Sequence, residues 1–252
     1  MNRKILITGA SSGFGRAMAH VFAQHGDDCI ITGRRSERLD ELQRELEQKF
    51  NVAILPLCFD VQDKEAVNKA IDSLPEEWKN IDVLINNAGL AAGRDYFDEA
   101  SMDDWETMID TNVKGLLYVT KAVVGGMRLR GRGQIINIGS TAAKEVYEKG
   151  NVYCATKAAV DALSQSMRID LLRHGIKVTA IHPGAAETEF SMVRFKGDEA
   201  MAKSIYQGFK PLVGEDVAQV AYYCTTLPEH VCINDLVLTC TAQANSFYFN
   251  RK

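Results

Sequence analysis

The stretch 8-TGASSGFGRAMAH-20 joins an apolar run to a helical pattern, and it decides how the chain folds. It continues the strand-like segment KILITGA (4–10) and places Gly9, Gly13 and Gly15 in the turn before the helix. Glycine permits a tight turn and close approach of the backbone to a ligand, and a helix N-terminus presents unpaired N–H groups. The stretch therefore predicts a strand–turn–helix unit that can hold phosphate groups at the start of its helix.

Outward from this stretch, apolar segments of strand length alternate with helical patterns along the chain. IDVLINNAG (81–89) and IKVTAIHPG (176–184) are typical strand segments, and the longest helical pattern predicts one continuous helix over 105–127. Continuously apolar strands that alternate with helices indicate a parallel sheet covered by helices on both faces. We therefore expect an α/β protein with a single Rossmann-type, doubly wound domain over 1–252, including a less regular segment at about 185–213.

Composition and charge narrow the range of partners. The 252 residues are 46% hydrophobic and 25% charged, a balance typical of globular rather than disordered chains. The formal net charge of −4 gives no general attraction to nucleic acid or to an anionic membrane. No segment approaches the ~20 apolar residues of a membrane span, and the apolar run near the N-terminus is too short for a signal peptide. We expect a cytoplasmic protein without a nucleic-acid or membrane partner.

The six cysteines are scattered and include no C-x-x-C pair. Disulfide scaffolds are short and rich in cysteine, and zinc sites need paired spacing. The sequence therefore predicts neither a disulfide framework nor a metal site.

Two arginines indicate which dinucleotide the sheet would bind. In dinucleotide-binding folds an acidic residue at the end of the second strand bonds the ribose 2′-hydroxyl, whereas an arginine accommodates a 2′-phosphate. The second strand lies within DDCIITGRR (27–35), and the acidic pair Asp27 and Asp28 precedes it. Arg34 and Arg35 stand at the expected edge, roughly twenty residues beyond the last motif glycine. The alternative is a pair of solvated surface arginines, but the missing acid favours NADP over NAD.

Polar residues follow the later strands at the same edge of the predicted sheet. NNAG (86–89) ends the fourth strand, and Ser140 ends the fifth. Asn112 is a helix-disfavouring amide inside an apolar helical pattern. Ligands bind at the carboxyl ends of the strands in open α/β sheets, so these residues are candidates for a site. Taken singly, Ser140 could cap a turn and Asn112 could bridge a helix kink.

The segment NVYCATKAAV (151–160) places Tyr153 one helical turn before Lys157 among small apolar residues. A buried tyrosine beside a snorkelling lysine would explain such a pair if it stood alone. A free phenol, with a pKa of ~10, is a poor base near neutral pH, and a nearby ammonium lowers that pKa. Because residues at i and i+4 share a helix face, Lys157 can act on the phenol of Tyr153.

These motifs occur in the order T-G-x-x-x-G-x-G, N-N-A-G, Asn, Ser, Y-x-x-x-K and P-G, and they span almost the whole chain. The chain resembles the classical short-chain dehydrogenases/reductases, a family of oxidoreductases that act on CH–OH groups. The resemblance implies Tyr153 as acid/base, Ser140 as the group that orients the substrate oxygen, Lys157 as a residue that also reaches the nicotinamide ribose, and Asn112 as part of a proton relay. It implies NADP contacts at Gly9, Ser11, Ser12, Gly13, Phe14, Gly15, Arg34, Arg35, Asp60, Val61, Asn87, Tyr153, Lys157, Pro183, Gly184 and Thr188.

Three segments, TEFSMVRFKGDEA (188–200), DDWETMIDTNVKGL (103–116) and NNAGLA (86–91), together resemble the subgroup that oxidises short 3-hydroxy acids. Its substrates include serine, L-allo-threonine and 3-hydroxypropionate types, which are oxidised to their 3-oxo acids. Arg194 could bind the carboxylate of such a substrate while the substrate hydroxyl lies within reach of Ser140 and Tyr153, and Lys196 is a second candidate for the carboxylate. Either cation could instead be a solvated loop charge. Lys144 and Glu145 are expected near the pocket wall.

Two other functions are consistent with the same motifs. The protein could be a general NADP-dependent carbonyl or 3-oxoacyl reductase, or it could be a non-catalytic module that senses NADP. The complete set of Asn112, Ser140, Tyr153 and Lys157 argues against a sensor, because a sensor needs no base.

Two helical patterns predict assembly into a homodimer or homotetramer. The helices over 105–127 and 155–173 are apolar over more than one stripe, and a helix that packs only on a sheet needs one stripe. The residues of these stripes are Leu116, Leu117, Val119, Val160, Leu163, Met167 and Leu171.

Overall fold

The computed structural model describes residues 2–252, apart from the side chain of Lys203. Within this range the strands form one parallel sheet of seven strands in the order β3-β2-β1-β4-β5-β6-β7. The strands are β1 (Lys4–Ile7), β2 (Asp28–Gly33), β3 (Ile54–Cys58), β4 (Val83–Asn86), β5 (Gly133–Ile138), β6 (Ile176–Pro183) and β7 (Asp235–Leu238). The order reverses between β1 and β4, which makes the carboxyl edge there the expected binding crevice of a doubly wound sheet.

Helices cover both faces of the sheet, as the alternation of elements predicts. They are α1 (Gly13–Gln24), α2 (Ser36–Lys49), α3 (Lys64–Asp72), α4 (Met102–Ile109), α5 (Leu116–Arg130), α6 (Asn151–Leu171), α7 (Glu189–Arg194), α8 (Glu199–Ser204) and α9 (Gly214–Thr226). The short helices α7 and α8 lie in the segment that the sequence marks as less regular.

Successive residues of β1 show why the strands are apolar throughout. Ile5 and Ile7 pack into one core with α1, α2 and α9, whereas Leu6 packs into a second core with α3 and α5. All three side chains are fully buried, since a strand covered on both faces has no solvent side. The expected fold class is therefore confirmed.

The expected continuous helix over 105–127 is wrong in one respect. Between α4 and α5 the chain forms a π-helical turn, Asp110–Gly115, which contains Asn112. The Asn112 side chain bonds both backbone groups of Leu90, accepting from its N–H at 2.8 Å and donating to its carbonyl at 2.8 Å. These bonds fix the turn against the loop after β4, and such turns are frequent at functional sites.

Within residues 2–252, none of the helices has both the length and the apolar character needed to span a bilayer.

Candidate active site

The glycine turn has the geometry that its sequence predicts. Gly9 has a φ of +68°, and a Cβ on Gly15 would lie 2.3 Å from the Gly9 carbonyl oxygen. Asn87 holds the turn by donating from Nδ2 to the Thr8 carbonyl at 2.8 Å. The Thr8 hydroxyl in turn accepts from the backbone N–H of Asn87 at 3.0 Å. The ends of β1 and β4 are thus joined around the N-terminus of α1, where phosphate groups would be stabilised.

A cavity of about 890 Å³ opens above this edge of the sheet. Its volume suits a dinucleotide together with a small substrate. Apart from Gly15, which packs behind the turn, every residue expected to contact NADP lines this cavity. Ser140, Tyr153, Lys157 and Arg194 line it as well, so the structure brings the predicted cofactor and substrate residues together.

The two arginines after β2 lie at the end of the cavity where a 2′-phosphate is expected. Arg35 donates to the hydroxyls of Ser11 at 3.0 Å and Ser12 at 2.9 Å. Arg34 is more exposed and lies 3.5 Å from the Asp60 carboxylate. Arg35 also contacts Glu189 at 3.3 Å. A phosphate bound here could replace Glu189 as the counter-charge of Arg35.

Tyr153 and Ser140 face each other near the centre of the cavity. The Tyr153 side chain is buried, and burial raises the pKa of its phenol above the ordinary value, with the Ser140 hydroxyl and Arg194 acting in the opposite direction. The Ser140 hydroxyl accepts a hydrogen bond from the Ala142 N–H at 3.1 Å, which leaves its own proton free to donate. A neutral phenol beside a donor hydroxyl can deliver a proton to a carbonyl oxygen.

Lys157 lies deeper than Tyr153 and is almost fully buried. Its ammonium donates to the Ile138 carbonyl at 3.0 Å and lies 6.0 Å from the centre of the Tyr153 ring. Burial lowers the pKa of Lys157 to about 8. The expectation that Lys157 lowers the pKa of Tyr153 is not met in this structure, because desolvation outweighs the nearby charges.

The low pKa of Lys157 implies that the free energy of unfolding depends on pH. A lysine whose pKa is lowered on folding destabilises the protein fully below about pH 8, and this penalty disappears as the pH rises towards the unfolded value. Lys157→Met should therefore raise the free energy of unfolding of the cofactor-free protein near neutral pH, by on the order of 2 kcal/mol after allowing for the lost bond to Ile138. Urea unfolding near neutral pH and two pH units higher measures both effects. The advantage of the variant should shrink at the higher pH, and an advantage independent of pH would contradict the shifted pKa.

Asn112 lies beneath the cavity rather than on its wall. Besides its bonds to Leu90, its Nδ2 donates to the Thr156 hydroxyl at 3.0 Å. The amide is thus fully engaged in holding the π-helical turn against α6. Its role in a proton relay stays a prediction.

Arg194, at the end of α7, is held by two aromatic rings. Its Nη1 donates to the Tyr147 hydroxyl at 2.9 Å, and its guanidinium carbon lies 5.5 Å from the centre of the Tyr153 ring. Within the described residues, the buried Nε–H of Arg194 has no hydrogen-bond partner. Arg194 lines the cavity, so its guanidinium can meet an anionic substrate group there.

The two alternative anchors for a carboxylate lie elsewhere. Lys196 is exposed and pairs with Asp104 at 2.8 Å. Neither Lys144 nor Glu145 lines the cavity, although Glu145 contacts Ser246, which does. Lys144 binds Asp161 at 2.9 Å, and Glu145 accepts from the backbone N–H of Ser246.

Some cavity residues give no signal in the sequence. Tyr147 follows the fifth strand in a loop without a motif. The C-terminal segment also lines the cavity, and the Gln243 side chain accepts from the Ala185 N–H at 2.8 Å. Loops far apart in sequence meet here only because the sheet brings their ends together.

Comparisons with known proteins agree with this geometry. A family model described as short chain dehydrogenase matches residues 3–199. The chain is 49% identical over 241 residues to the NADP-dependent 3-hydroxy acid dehydrogenase YdfG of Escherichia coli, covering 95% of this chain and 96% of the relative. It is 46% identical to sulfoacetaldehyde reductase 2 of Chromohalobacter salexigens, covering 98% of each chain. The structure is similar to the closed form of a serine dehydrogenase complexed with NADP+, with 48% identity, a TM-score of 0.92 and 99% coverage of both chains.

Proposed function

The chain belongs to the short-chain dehydrogenase family, and on this premise we propose that it is an NADP-dependent oxidoreductase that interconverts short 3-hydroxy acids and their 3-oxo acids. The observation that carries the proposal is the Arg194 guanidinium, which lines the cavity and lies 5.5 Å from the centre of the Tyr153 ring. A cation at this position can bind the acidic group of a substrate whose hydroxyl reaches Tyr153.

The residues of the chain have separate roles in this proposal. NADP, when bound, accepts or supplies the hydride. In the direction of reduction, Tyr153 donates its proton to the carbonyl oxygen while the Ser140 hydroxyl donates a hydrogen bond to the same atom. In the direction of oxidation, the phenolate form of Tyr153 accepts the hydroxyl proton and becomes the phenol. The Arg194 guanidinium, which acts against the effect of burial on the Tyr153 pKa, stabilises the phenolate that forms when Tyr153 gives up its proton.

The residues around the cavity also fit NADP rather than NAD. Arg34 and Arg35 supply two guanidinium groups at the end of β2, and no acidic residue follows that strand directly. We expect the arginines to bind the 2′-phosphate and the glycine turn to bind the pyrophosphate.

A substrate panel tests the proposal. The purified protein is incubated with NADP or NAD and with serine, L-allo-threonine and 3-hydroxypropionate, and the absorbance of NADPH or NADH is followed. In the reverse direction, sulfoacetaldehyde and a 3-oxoacyl thioester are compared with NADPH. Higher efficiency on the short 3-hydroxy acids supports the proposal, a preference for the thioester indicates a 3-oxoacyl reductase, and NADP binding without turnover indicates a sensor.

Arg194→Met should separate acidic from neutral substrates. Loss of a charge-assisted hydrogen bond to a carboxylate is expected to raise the Michaelis constant for serine by about 10- to 100-fold. A neutral ketone or alcohol of similar size should change little, because it has no carboxylate to lose. Arg173→Met, an exposed arginine outside the cavity, is the matched control. Equal losses on acidic and neutral substrates would mean that Arg194 only orders its loop.

We further propose that the chain forms a homodimer or homotetramer. Of the residues in the two apolar helical stripes, Leu116, Val119 and Val160 are buried within the chain itself. Other apolar side chains of the same region remain exposed, namely Leu117 at 38%, Ile169 at 74% and Leu172 at 74%. Burial of such residues against another subunit would be favourable. Sedimentation at micromolar concentration tests this, and a 27.9 kDa monomer would contradict it.

A cytoplasmic location stays a prediction.

A further inference from the structure

His182, near the end of β6, lies directly behind the Ser140 backbone. Its side chain is fully buried. The backbone ladder between β5 and β6 ends where the Gly139 N–H donates to the Ile181 carbonyl at 2.7 Å. The Ser140 N–H that follows lies 3.3 Å from Nδ1 of His182. The imidazole thus continues the hydrogen bonding of the sheet at the point where the candidate site begins.

Gly139 leaves the space that the His182 ring occupies. A Cβ on Gly139 would lie 2.3 Å from Nδ1 of His182, so a residue with a side chain could not stand there without moving the ring or the strand. The close approach of His182 to the Ser140 backbone therefore depends on a glycine at 139.

The other ring nitrogen faces a cluster of charges. Nε2 of His182 lies 3.3 Å from Asp235 and 3.6 Å from Asp161. Both carboxylates also bind the Lys144 ammonium, at 2.5 Å from Asp235 and 2.9 Å from Asp161. Two carboxylates and one ammonium leave a net negative charge beside Nε2. This charge favours the tautomer that carries its proton on Nε2, although none of these contacts to Nε2 has good hydrogen-bond geometry.

With its proton on Nε2, the ring presents the Nδ1 lone pair to the Ser140 N–H. The Ser140 hydroxyl is held separately by the Ala142 N–H. We infer that neutral His182, whose Nε2 lies beside the charges of Asp161, Asp235 and Lys144, is a positioning residue that fixes Ser140 for hydrogen bonding to the reacting oxygen of the substrate. This inference rests on the proposed function, in which Ser140 contacts that oxygen.

Protonation of His182 would reverse the contact. A protonated ring has N–H groups on both nitrogens, so Nδ1 could no longer accept from Ser140 and would donate to the Ser140 carbonyl, which lies 3.2 Å away. The titratable groups that face the ring are Lys144 after β5, Asp161 on α6 and Asp235 on β7. Burial and the Lys144 charge lower the pKa of His182 against the pull of the two carboxylates, so the ring is neutral near pH 7. Turnover should therefore fall at acid pH, below the ordinary histidine value of about 6.5.

Two substitutions of His182 separate positioning from packing. In His182→Asn the amide oxygen can take the place of Nδ1 as acceptor, whereas His182→Leu fills the space without an acceptor. We expect His182→Leu to lower kcat about tenfold or more while the Michaelis constant for NADP stays nearly unchanged. His182→Asn should retain kcat within about threefold and should lose the acid limb that His182 contributes. Asp235→Asn should move that limb to lower pH, since the carboxylate raises the pKa of His182.

Each contrary result overturns the inference. It fails if His182→Leu keeps its turnover, if the Asn and Leu variants are equally impaired, or if the acid limb of His182→Asn is unchanged. If the unmodified protein turns over none of the hydroxy acids or aldehydes, the proposed function fails instead. In that case the ¹⁵N shifts of His182 still decide the geometry, because a neutral ring protonated on Nδ1 would exclude the contact with the Ser140 N–H.

Discussion

Tyr153→Phe is expected to lower kcat by about 10²- to 10⁴-fold, the usual contribution of a positioned acid or base. The phenylalanine ring keeps the contact with Phe190, whose centroid lies 5.7 Å away, so the fold and NADP binding should survive. Only the transferable proton is lost. Turnover is measured by NADPH absorbance, and NADP affinity is measured separately by calorimetry.

Tyr118→Phe is the matched control. Tyr118 is a half-buried phenol that packs against the core below the sheet and does not line the cavity. Its loss should leave turnover unchanged. If Tyr153→Phe kept the rate of the unmodified protein, another group would have to transfer the proton and the proposed chemistry would be wrong.

Replacing both Arg34 and Arg35 by alanine should cause the second large effect. Each guanidinium can form charge-assisted bonds to a 2′-phosphate, so the Michaelis constant for NADP is expected to rise by about 100-fold or more. The constant for NAD should change little, because NAD carries a hydroxyl at that position. The ratio of the Michaelis constants for NADP and NAD is compared between the unmodified protein and the double variant.

Arg16→Ala is the control for a general loss of positive charge. Arg16 lies on α1, where it pairs with Glu45 at 2.6 Å outside the cavity, and its removal should affect both cofactors equally and weakly. Equal effects of the Arg34 and Arg35 substitutions on NADP and NAD would show that these arginines are only surface charges.

The parts of the site that the sequence predicted are those fixed by the sheet. Gly9, Asn87 and Ser140 each follow a strand, and parallel strands bring their carboxyl ends to one edge. The Tyr153 to Lys157 spacing needs only a helix to place both side chains together. In both cases the secondary structure alone fixes the relative positions of the side chains. The fold and the residues around the cavity could therefore be predicted from local sequence patterns.

The remaining features depend on contacts between distant segments. The Tyr147 hydroxyl accepts a hydrogen bond from Arg194, and no local sequence pattern predicts that contact. The position of Lys144 after the fifth strand predicts that it lies near the pocket. Only the structure shows that its ammonium binds Asp235 on β7 instead. The nearby ammonium of Lys157 predicts a lowered pKa for Tyr153, but burial is the larger effect and raises that pKa. Burial at this depth is a property of the whole packed chain.

The most direct test of the central claim follows the hydrogen on the carbinol carbon of the substrate. The protein is incubated with NADP and serine deuterated at C3, and the NADPH formed is analysed by mass spectrometry. The account predicts that NADPH carries one deuterium, that the reaction depends on Tyr153, and that NAD replaces NADP poorly. NADPH without deuterium, or no NADPH from any short 3-hydroxy acid, would contradict it.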